Sequence, residues 1–261
     1  RTAPLFNRTS LIRLLVPLII EQFLMMTVGM ADTIMVATAG EAAVSGVSLV
    51  DSINLLLIQI FAALSTGGTV VVSQYLGRQD RDNADHAAKQ LLHSATLIAL
   101  LLMALALGLR QQILDFIYVS LEPEVMGHAL DYFLYTSLAY PFMAIYNAGA
   151  ALYRAMGNSK VSMYVSLLIN VVNIAVNALL IYGFDMAAAG AGIGTLVSRI
   201  TAAVIMLILM RRPTNLVKVR GLLKFEWRPE MLRRILQVGV PNGLENGMFQ
   251  IGKLCVSSLT S

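Results

Sequence analysis

Residues 15–22 read Leu-Val-Pro-Leu-Ile-Ile-Glu-Gln, and residues 239–246 read Gly-Val-Pro-Asn-Gly-Leu-Glu-Asn. Each stretch contains Val-Pro and, four residues after the proline, a glutamate that is followed by a carboxamide. The two prolines, Pro17 and Pro241, lie 224 residues apart. A repeat of this period, with about six membrane spans in each copy, is typical of transporters built from two similar halves. We therefore expect this chain to be one such half together with the first helix of the next.

The composition is that of a membrane protein. Of the 261 residues, 57% are hydrophobic and only 13% are charged, whereas soluble domains carry about 25% charged residues. An apolar segment needs roughly 20 residues to cross a bilayer. Seven segments approach or exceed this length: 13–37, 44–73, 87–109, 128–155, 160–184, 188–210 and 235–259. The sequence therefore predicts an all-α, polytopic membrane protein.

Basic residues are concentrated on one side of these segments. Of the 19 Lys and Arg residues, sixteen lie between the predicted spans or at their ends on the side of the N-terminus, two lie deeper within spans, and only Arg110 lies on the opposite side. Because cytoplasmic loops collect Lys and Arg, we expect a cytoplasmic N-terminus and a location in the plasma membrane. A nucleic-acid partner is not expected, since the basic residues flank the membrane and do not form one patch.

Together, the segments and the charges divide the chain into three predicted parts. Residues 1–210 form a first lobe with transmembrane helices 1–6, and residues 211–234 form a basic cytoplasmic linker between lobes. Residues 235–261 form the first helix of a second lobe, which is truncated. The complete architecture would then be a two-lobe transporter with twelve helices, of which this chain supplies seven.

Five motifs follow one another along the chain and carry a family resemblance. They are Asp32-Thr-Ile-Met-Val36, Ser73-Gln-Tyr-Leu-Gly77, Leu152-Tyr-Arg-Ala-Met-Gly-Asn-Ser-Lys160, Asn173-Ile-Ala-Val-Asn177 and the Ala/Gly run at 187–194. In this order and spacing they resemble the multidrug and toxic compound extrusion (MATE) transporters, and among these the DinF-like branch. The resemblance implies two six-helix lobes around a substrate cavity. It also implies a monomeric antiporter without a cofactor, which exports organic, cationic or amphipathic small molecules in exchange for H⁺ or Na⁺.

Polar side chains recur at one depth of the predicted membrane. A charged residue at this depth costs roughly 2.5–3.5 kcal/mol on insertion scales, so each one indicates a functional site or an ion pair. Counted from the ends of the predicted spans, five polar residues share one layer of the outer half: Asp32, Asp51, Asn177, Thr195 and Arg199. Arg199 and Asp51 could form an intramembrane ion pair, and Asp32 is an alternative partner for the arginine.

Asp32 is the leading candidate for binding the coupling ion. Hard cations prefer oxygen ligands, and Asn173 and Asn177 share one helix face because they stand at i and i+4. These two residues and Thr195 could complete a metal site with Asp32 if the coupling ion is Na⁺. The resemblance implies an aspartate at the position of Asn177 in sodium-binding relatives, so one negative charge is missing here. A proton needs only Asp32, and both ions therefore stay open.

A candidate substrate cavity extends along the first helix. Glu21 lies eleven residues before Asp32, which is close to three helical turns, so both carboxylates face the same side. Glu245 takes the corresponding place in the second repeat. Methionine adapts to many ligand shapes, so Met25 and the aromatic Tyr140 are further candidates for the cavity wall.

Other functions are weighed against this one. A flippase for lipid-linked saccharides, or a metabolite exporter of the same superfamily, would keep the architecture and change the cargo. The four acidic candidates against one arginine favour a cationic cargo. A channel or a structural scaffold is also compatible with the spans. An enzyme is not expected, because the sequence has no His-Glu-x-x-His motif, no paired-aspartate protease signature and no phosphate-binding loop.

Overall fold

The computed structural model describes residues 8–118, 121–219 and 228–260. These ranges contain no strand, and the all-α fold class is confirmed. The α-helices are α1 (Arg8–Ala37), α2 (Glu41–Gly77), α3 (Arg81–Ile117), α4 (Pro123–Leu138), α5 (Tyr140–Ala155), α6 (Ser159–Ala178), α7 (Ala187–Met210) and α8 (Pro229–Thr260). A π-helical turn, Leu179–Gly183, continues α6.

Five helical stretches of the described chain are long and apolar enough to cross a membrane. They are Leu15–Ala37, Glu41–Gly77, Arg81–Ile117, Ser159–Gly183 and Ala187–Met210. These stretches correspond to predicted segments one, two, three, five and six. The seventh segment forms most of α8, which is not among the five because polar residues such as Asn242 and Glu245 lower its hydropathy. This helix begins at Pro229, within the predicted linker.

The fourth predicted segment, 128–155, is divided into two helices. α4 ends at Leu138 and α5 begins at Tyr140, and each contains 16 residues. Pro141 is the second residue of α5 and has no N–H to donate to the turn before it, which accounts for the break. Since Ala139 between the two helices keeps a right-handed helical backbone, we interpret α4 and α5 as one interrupted span.

The helices form one bundle with α2 at its centre. α2 contacts α1, α3, α4, α5, α7 and α8, while α6 packs between α1 and α7. Glycines allow the closest approaches: Gly149 of α5 packs against Met206 of α7. This arrangement directs the polar faces of α1, α2, α4, α6 and α7 towards one another.

Short turns with defined chemistry join the first three helices. Gly40 precedes α2 with a backbone φ of 113°, a conformation that favours glycine. Asp80 caps α3 by accepting a hydrogen bond from the backbone N–H of Asn83 at 3.2 Å, and a second one from the Asn83 side chain at 2.7 Å. These hydrogen bonds stabilise the charged carboxylate and hold the pKa of Asp80 below its usual range.

The predicted linker 211–234 is described only at its two ends, since 220–227 lie outside the described residues. Its first part packs on the bundle. The Asn215 side chain donates to the carbonyl oxygen of Leu209 at 2.9 Å, and the backbone N–H of Lys218 donates to Asp85 at 2.7 Å. Val217 is buried. The start of the linker is therefore attached to the end of the bundle from which α7 emerges.

Candidate functional site

A cavity of about 400 Å³ lies between α1, α2, α4, α5, α6 and α7. The structure brings most of the predicted polar layer to its wall. The lining includes Asp32 from α1, Asp51 from α2, Asn173 from α6, and Thr195 and Arg199 from α7. Four helices thus place two carboxylates, one guanidinium and neutral oxygens around a single space.

Asp32 is held by the asparagine pair of α6. The Asn177 amide donates to Asp32 Oδ1 at 2.5 Å and to Asn173 Oδ1 at 3.3 Å. Asn177 is fully buried, and its own Oδ1 has no hydrogen-bond partner in the described part of the chain. A Cβ at Gly194 of α7 would overlap this oxygen, so α7 closes over the pair. Oxygen atoms of three side chains therefore lie close together at the buried edge of the cavity.

Asp51 and Arg199 face the same cavity without forming the predicted ion pair. The Tyr132 hydroxyl of α4 donates to Asp51 Oδ1 at 2.8 Å, which satisfies one carboxylate oxygen with a neutral donor. Within the described ranges, no ion pair joins Arg199 to an acidic residue, and Arg199 Nε is buried without a hydrogen-bond partner. The arginine is thus oriented into the bundle by packing, and its charge faces the cavity.

Glu21 turns away from this cavity towards α5 and α6. It is only 5% exposed and accepts hydrogen bonds from Tyr146 at 3.1 Å and from Ser162 at 2.9 Å. Arg154 Nη1 lies 3.7 Å from Glu21 Oε1. Tyr146 also lines the cavity, so its ring separates the cavity from the polar cluster around Glu21.

Of the other three predicted wall residues, two that the structure describes, Tyr140 and Glu245, lie outside the lining of the cavity. Tyr140 is fully buried and donates to Asn54 at 2.9 Å, and Asn54 is the residue that lines the cavity. Glu245 is exposed on α8, unlike Glu21 at the same place in the first repeat. The side chain of Met25 lies outside the described residues.

Three hydrogen bonds, here called the α1–α6 seam, join α1 to α6 at three depths. They run from Ser162 to Glu21, from Asn170 to the carbonyl oxygen of Leu24, and from Asn177 to Asp32. The three donors are separated by eight and then seven residues along α6. Each interval is about two helical turns, so all three donors lie on one face of the helix. Sequence analysis missed Ser162 and Asn170, although this two-turn recurrence was the available signal.

Comparison with known proteins identifies the family. The MatE family model matches residues 17–179. The "probable multidrug resistance protein NorM" of Thermotoga maritima is 28% identical over an alignment of 261 positions. The alignment covers 97% of this chain and 54% of the relative. The "uncharacterized transporter YisQ" of Bacillus subtilis is 26% identical over an alignment of 252 positions, which covers 95% of this chain and 55% of the relative.

A solved structure shares the fold. It shows the outward-facing conformation of a multidrug resistance MATE family transporter of the MOP superfamily. The two structures superpose with a TM-score of 0.84 and share 21% sequence identity. The match covers 91% of this chain and 52% of the other. The chain spans about half the length of the curated relatives it matches. Because the family model covers more than half of its residues, the chain belongs to the MatE family of membrane transporters, whose members are not enzymes.

Proposed function

We propose that the full-length protein is a secondary active antiporter for multidrug efflux, which exports organic cations or amphipathic molecules in exchange for H⁺ or Na⁺. The observation that carries this proposal is the buried Asp32 carboxylate, held by Asn177 at the wall of a cavity. The proposed setting is the plasma membrane, with a cytoplasmic N-terminus and no cofactor. The DinF-like branch remains a prediction.

The charge of the cavity supports a cationic cargo. Asp32 and Asp51 contribute two negative charges to the lining, and Arg199 contributes one positive charge. An ionised cavity wall therefore carries one unbalanced negative charge, which a coupling ion or a cationic substrate would neutralise. Its volume of about 400 Å³ falls within the usual range of roughly 300–1,000 Å³ for small-molecule sites. The second lobe would add the remaining wall.

The Asp32–Asn177 contact provides a simple coupling step. In the ionised state the Asn177 amide nitrogen donates to the carboxylate. A proton on Asp32 Oδ1 would make this oxygen a donor, and Na⁺ needs oxygen ligands there. With the proton on this oxygen, or with Na⁺ bound, the Asn177 amide would rotate so that its Oδ1 faces Asp32. Binding of either ion would thus change the contact between α1 and α6 and favour a different position of the outer part of α1.

The donor set suits a monovalent ion. In the described ranges, no group of three or more His, Cys, Asp or Glu side chains could hold a metal ion. A sodium ion at Asp32 would depend on neutral oxygens of Asn173, Asn177 and Thr195, whereas a proton depends on the carboxylate alone.

The test compares Asp32→Asn with wild type in full-length protein reconstituted into proteoliposomes. Losing a charge-assisted hydrogen bond costs about 1.5–3 kcal/mol, so we expect ion-driven efflux of a cationic dye to fall about tenfold or more. Asp115→Asn is the matched control, because Asp115 is exposed at the end of α3. Removing sodium and collapsing the pH gradient in separate arms identifies the ion. Wild-type efflux by Asp32→Asn would refute the assignment.

One observation favours the second candidate, export of an anionic cargo such as a lipid-linked saccharide. Arg199 Nε is buried without a hydrogen-bond partner in the described chain, and the residue lines the cavity. Under this alternative, Arg199→Gln abolishes transport of the anionic cargo. Under the leading proposal, the same variant keeps transporting the cationic dye, and the two outcomes separate the hypotheses.

A further inference from the structure

A second cavity, of about 330 Å³, lies at one end of the bundle, where α2 ends and where α3 and α8 begin. Its lining combines Tyr75 and Asn83 with Arg228, Glu230 and Arg234. None of these residues belongs to the first cavity or to the α1–α6 seam. The second cavity therefore joins the first six-helix unit to α8 by contacts that the transport proposal does not use.

Both arginines of this second cavity are held by groups other than carboxylates. Arg234 Nη1 donates to the Tyr75 hydroxyl at 2.8 Å, and Arg228 Nη2 lies 3.0 Å from His86 Nε2. The backbone N–H of Arg228 also donates to the buried Gln90 side chain at 3.0 Å. Neither guanidinium forms an ion pair with a carboxylate of the described chain. Within the part of the chain that the structure describes, both charges are therefore held in place without a carboxylate partner.

The balance of charge in the second cavity is positive. Among the described residues of the lining, Glu230 is the one carboxylate, against two arginines, and these residues together carry one net positive charge. Asp80 binds the side chain of Asn83 but is not part of the lining. α3 and α8 both begin beside this cavity, and the exposed N–H groups at the start of a helix add partial positive charge there.

The position of this cavity along the helices places it beyond the hydrocarbon core of a membrane. α2 and α3 contain 37 residues each, which corresponds to about 55 Å at 1.5 Å per residue. The hydrocarbon core is only about 30 Å thick, and about 40–45 Å with the headgroups. The turn between the two helices must therefore project beyond the hydrocarbon core. Tyr75, two residues before the end of α2, is of the type that favours this interface.

We propose that the second cavity binds the phosphate of an anionic phospholipid headgroup. A guanidinium can donate two parallel hydrogen bonds to phosphate oxygens, and basic pockets between transmembrane helices suit such headgroups. A free phosphate ion would offer the same chemistry, but the position of the cavity at the ends of two helices that are long enough to cross a membrane favours a lipid. The bound headgroup would hold α8 against the α2–α3 turn and thus connect the two repeats.

The test uses full-length protein in nanodiscs or in lipid-titrated native mass spectrometry, with phosphatidylglycerol and phosphatidylcholine as probes. Arg228→Gln combined with Arg234→Gln is compared with a control of equal charge, Arg211→Gln with Arg212→Gln, whose exposed side chains lie outside the lining. We expect wild type and control to bind phosphatidylglycerol more tightly than phosphatidylcholine. In the Arg228→Gln, Arg234→Gln variant this ratio of affinities should fall about tenfold, since each basic residue near an anionic headgroup increases the affinity several-fold.

Further arms make the result decisive. Tyr75→Phe removes only the hydroxyl that orients Arg234 and is expected to fold normally, with a smaller loss of preference than the double variant. An unchanged lipid preference in both variants overturns the proposal. Inorganic phosphate is titrated in detergent as a separate probe. Binding of inorganic phosphate that the double variant abolishes, without any preference for phosphatidylglycerol, would overturn the lipid assignment in favour of a soluble anion.

Discussion

The contact between α2 and α8 provides the sharpest test of how closely the two repeats are packed. A Cβ added to Gly67 of α2 would overlap the carbonyl oxygen of Ile235 and would lie 2.9 Å from the backbone nitrogen of Gly239. From the other side, a Cβ at Gly239 would lie 2.8 Å from the carbonyl oxygen of Ala63. Because these neighbours are backbone atoms, no side-chain rotation can relieve the overlap. Gly67→Ala must therefore push α8 away from α2.

The expected cost follows from two opposing effects. Overpacking a close contact typically costs about 1–3 kcal/mol, while replacing a helical glycine by alanine gains up to about 1 kcal/mol. Small residues let membrane helices approach closely, and here the glycine lies at the contact itself. We expect a net loss of about 1–2 kcal/mol, which lowers the ratio of folded to unfolded protein roughly 5- to 30-fold.

The assay is thermal denaturation of the full-length protein in detergent, followed by size-exclusion chromatography. Gly77→Ala is the matched control, because Gly77 lies on the same helix and no atom outside its immediate chain neighbours would come within 4 Å of its added Cβ. The control should be as stable as wild type or slightly more stable, and Gly67→Ala should unfold at a lower temperature. Equal stability of the two variants would refute the close approach of α2 and α8.

The remaining predictions concern the ends of the α1–α6 seam and the α2–α3 turn. Glu21→Ala leaves a buried tyrosine hydroxyl without its charged acceptor, so we expect a loss of about 2–3 kcal/mol in thermal denaturation; Glu21→Gln should lose about 1 kcal/mol, since its amide still accepts. The Asp80 cap of α3 should weaken in acid. Because the folded pKa of Asp80 is lowered, its contribution is present above a pH of about 4 and is lost as pH falls further. The readout is a lower hydrogen-exchange protection factor of the Asn83 amide below that pH, and Asp80→Asn should show no such change.

The spans could be predicted from sequence wherever hydropathy and helix continuity agree. The break at Pro141 shows where they do not. The apolar residues on both sides of this proline form one hydropathy peak, although the chain forms two helices of 16 residues. Hydropathy measures transfer into lipid, whereas a helix break depends on one missing N–H.

The candidate site was predictable in part, for a related reason. Asp32 stands out because an ionisable residue in an apolar run is costly. Tyr146 gives no such signal, since tyrosine is common in membrane helices, and Arg154 lies at the end of a predicted span, where a basic residue is expected. The orientation of Glu21 was not predictable either. Its angle on α1 follows from the sequence, but whether the cavity or α6 lies at that angle depends on tertiary packing.

The three hydrogen bonds of the α1–α6 seam differ in what can break them. In the proposed orientation, the outermost one ends on Asp32, which lines the cavity and would meet an ion or substrate there. The innermost one ends on Glu21, whose partners include Arg154, and the middle one ends on the backbone of Leu24. Asp32 and Asn170 line the cavity, whereas Glu21 does not. An ion bound in the cavity can therefore weaken the outer two contacts directly, but not the innermost one. The inner half of α1 remains attached to α6, so the proposed movement is confined to the outer half. The two variants should therefore differ in their effects. Glu21→Ala should lower stability and keep ion coupling, whereas Asp32→Asn should lose coupling and keep the inner attachment.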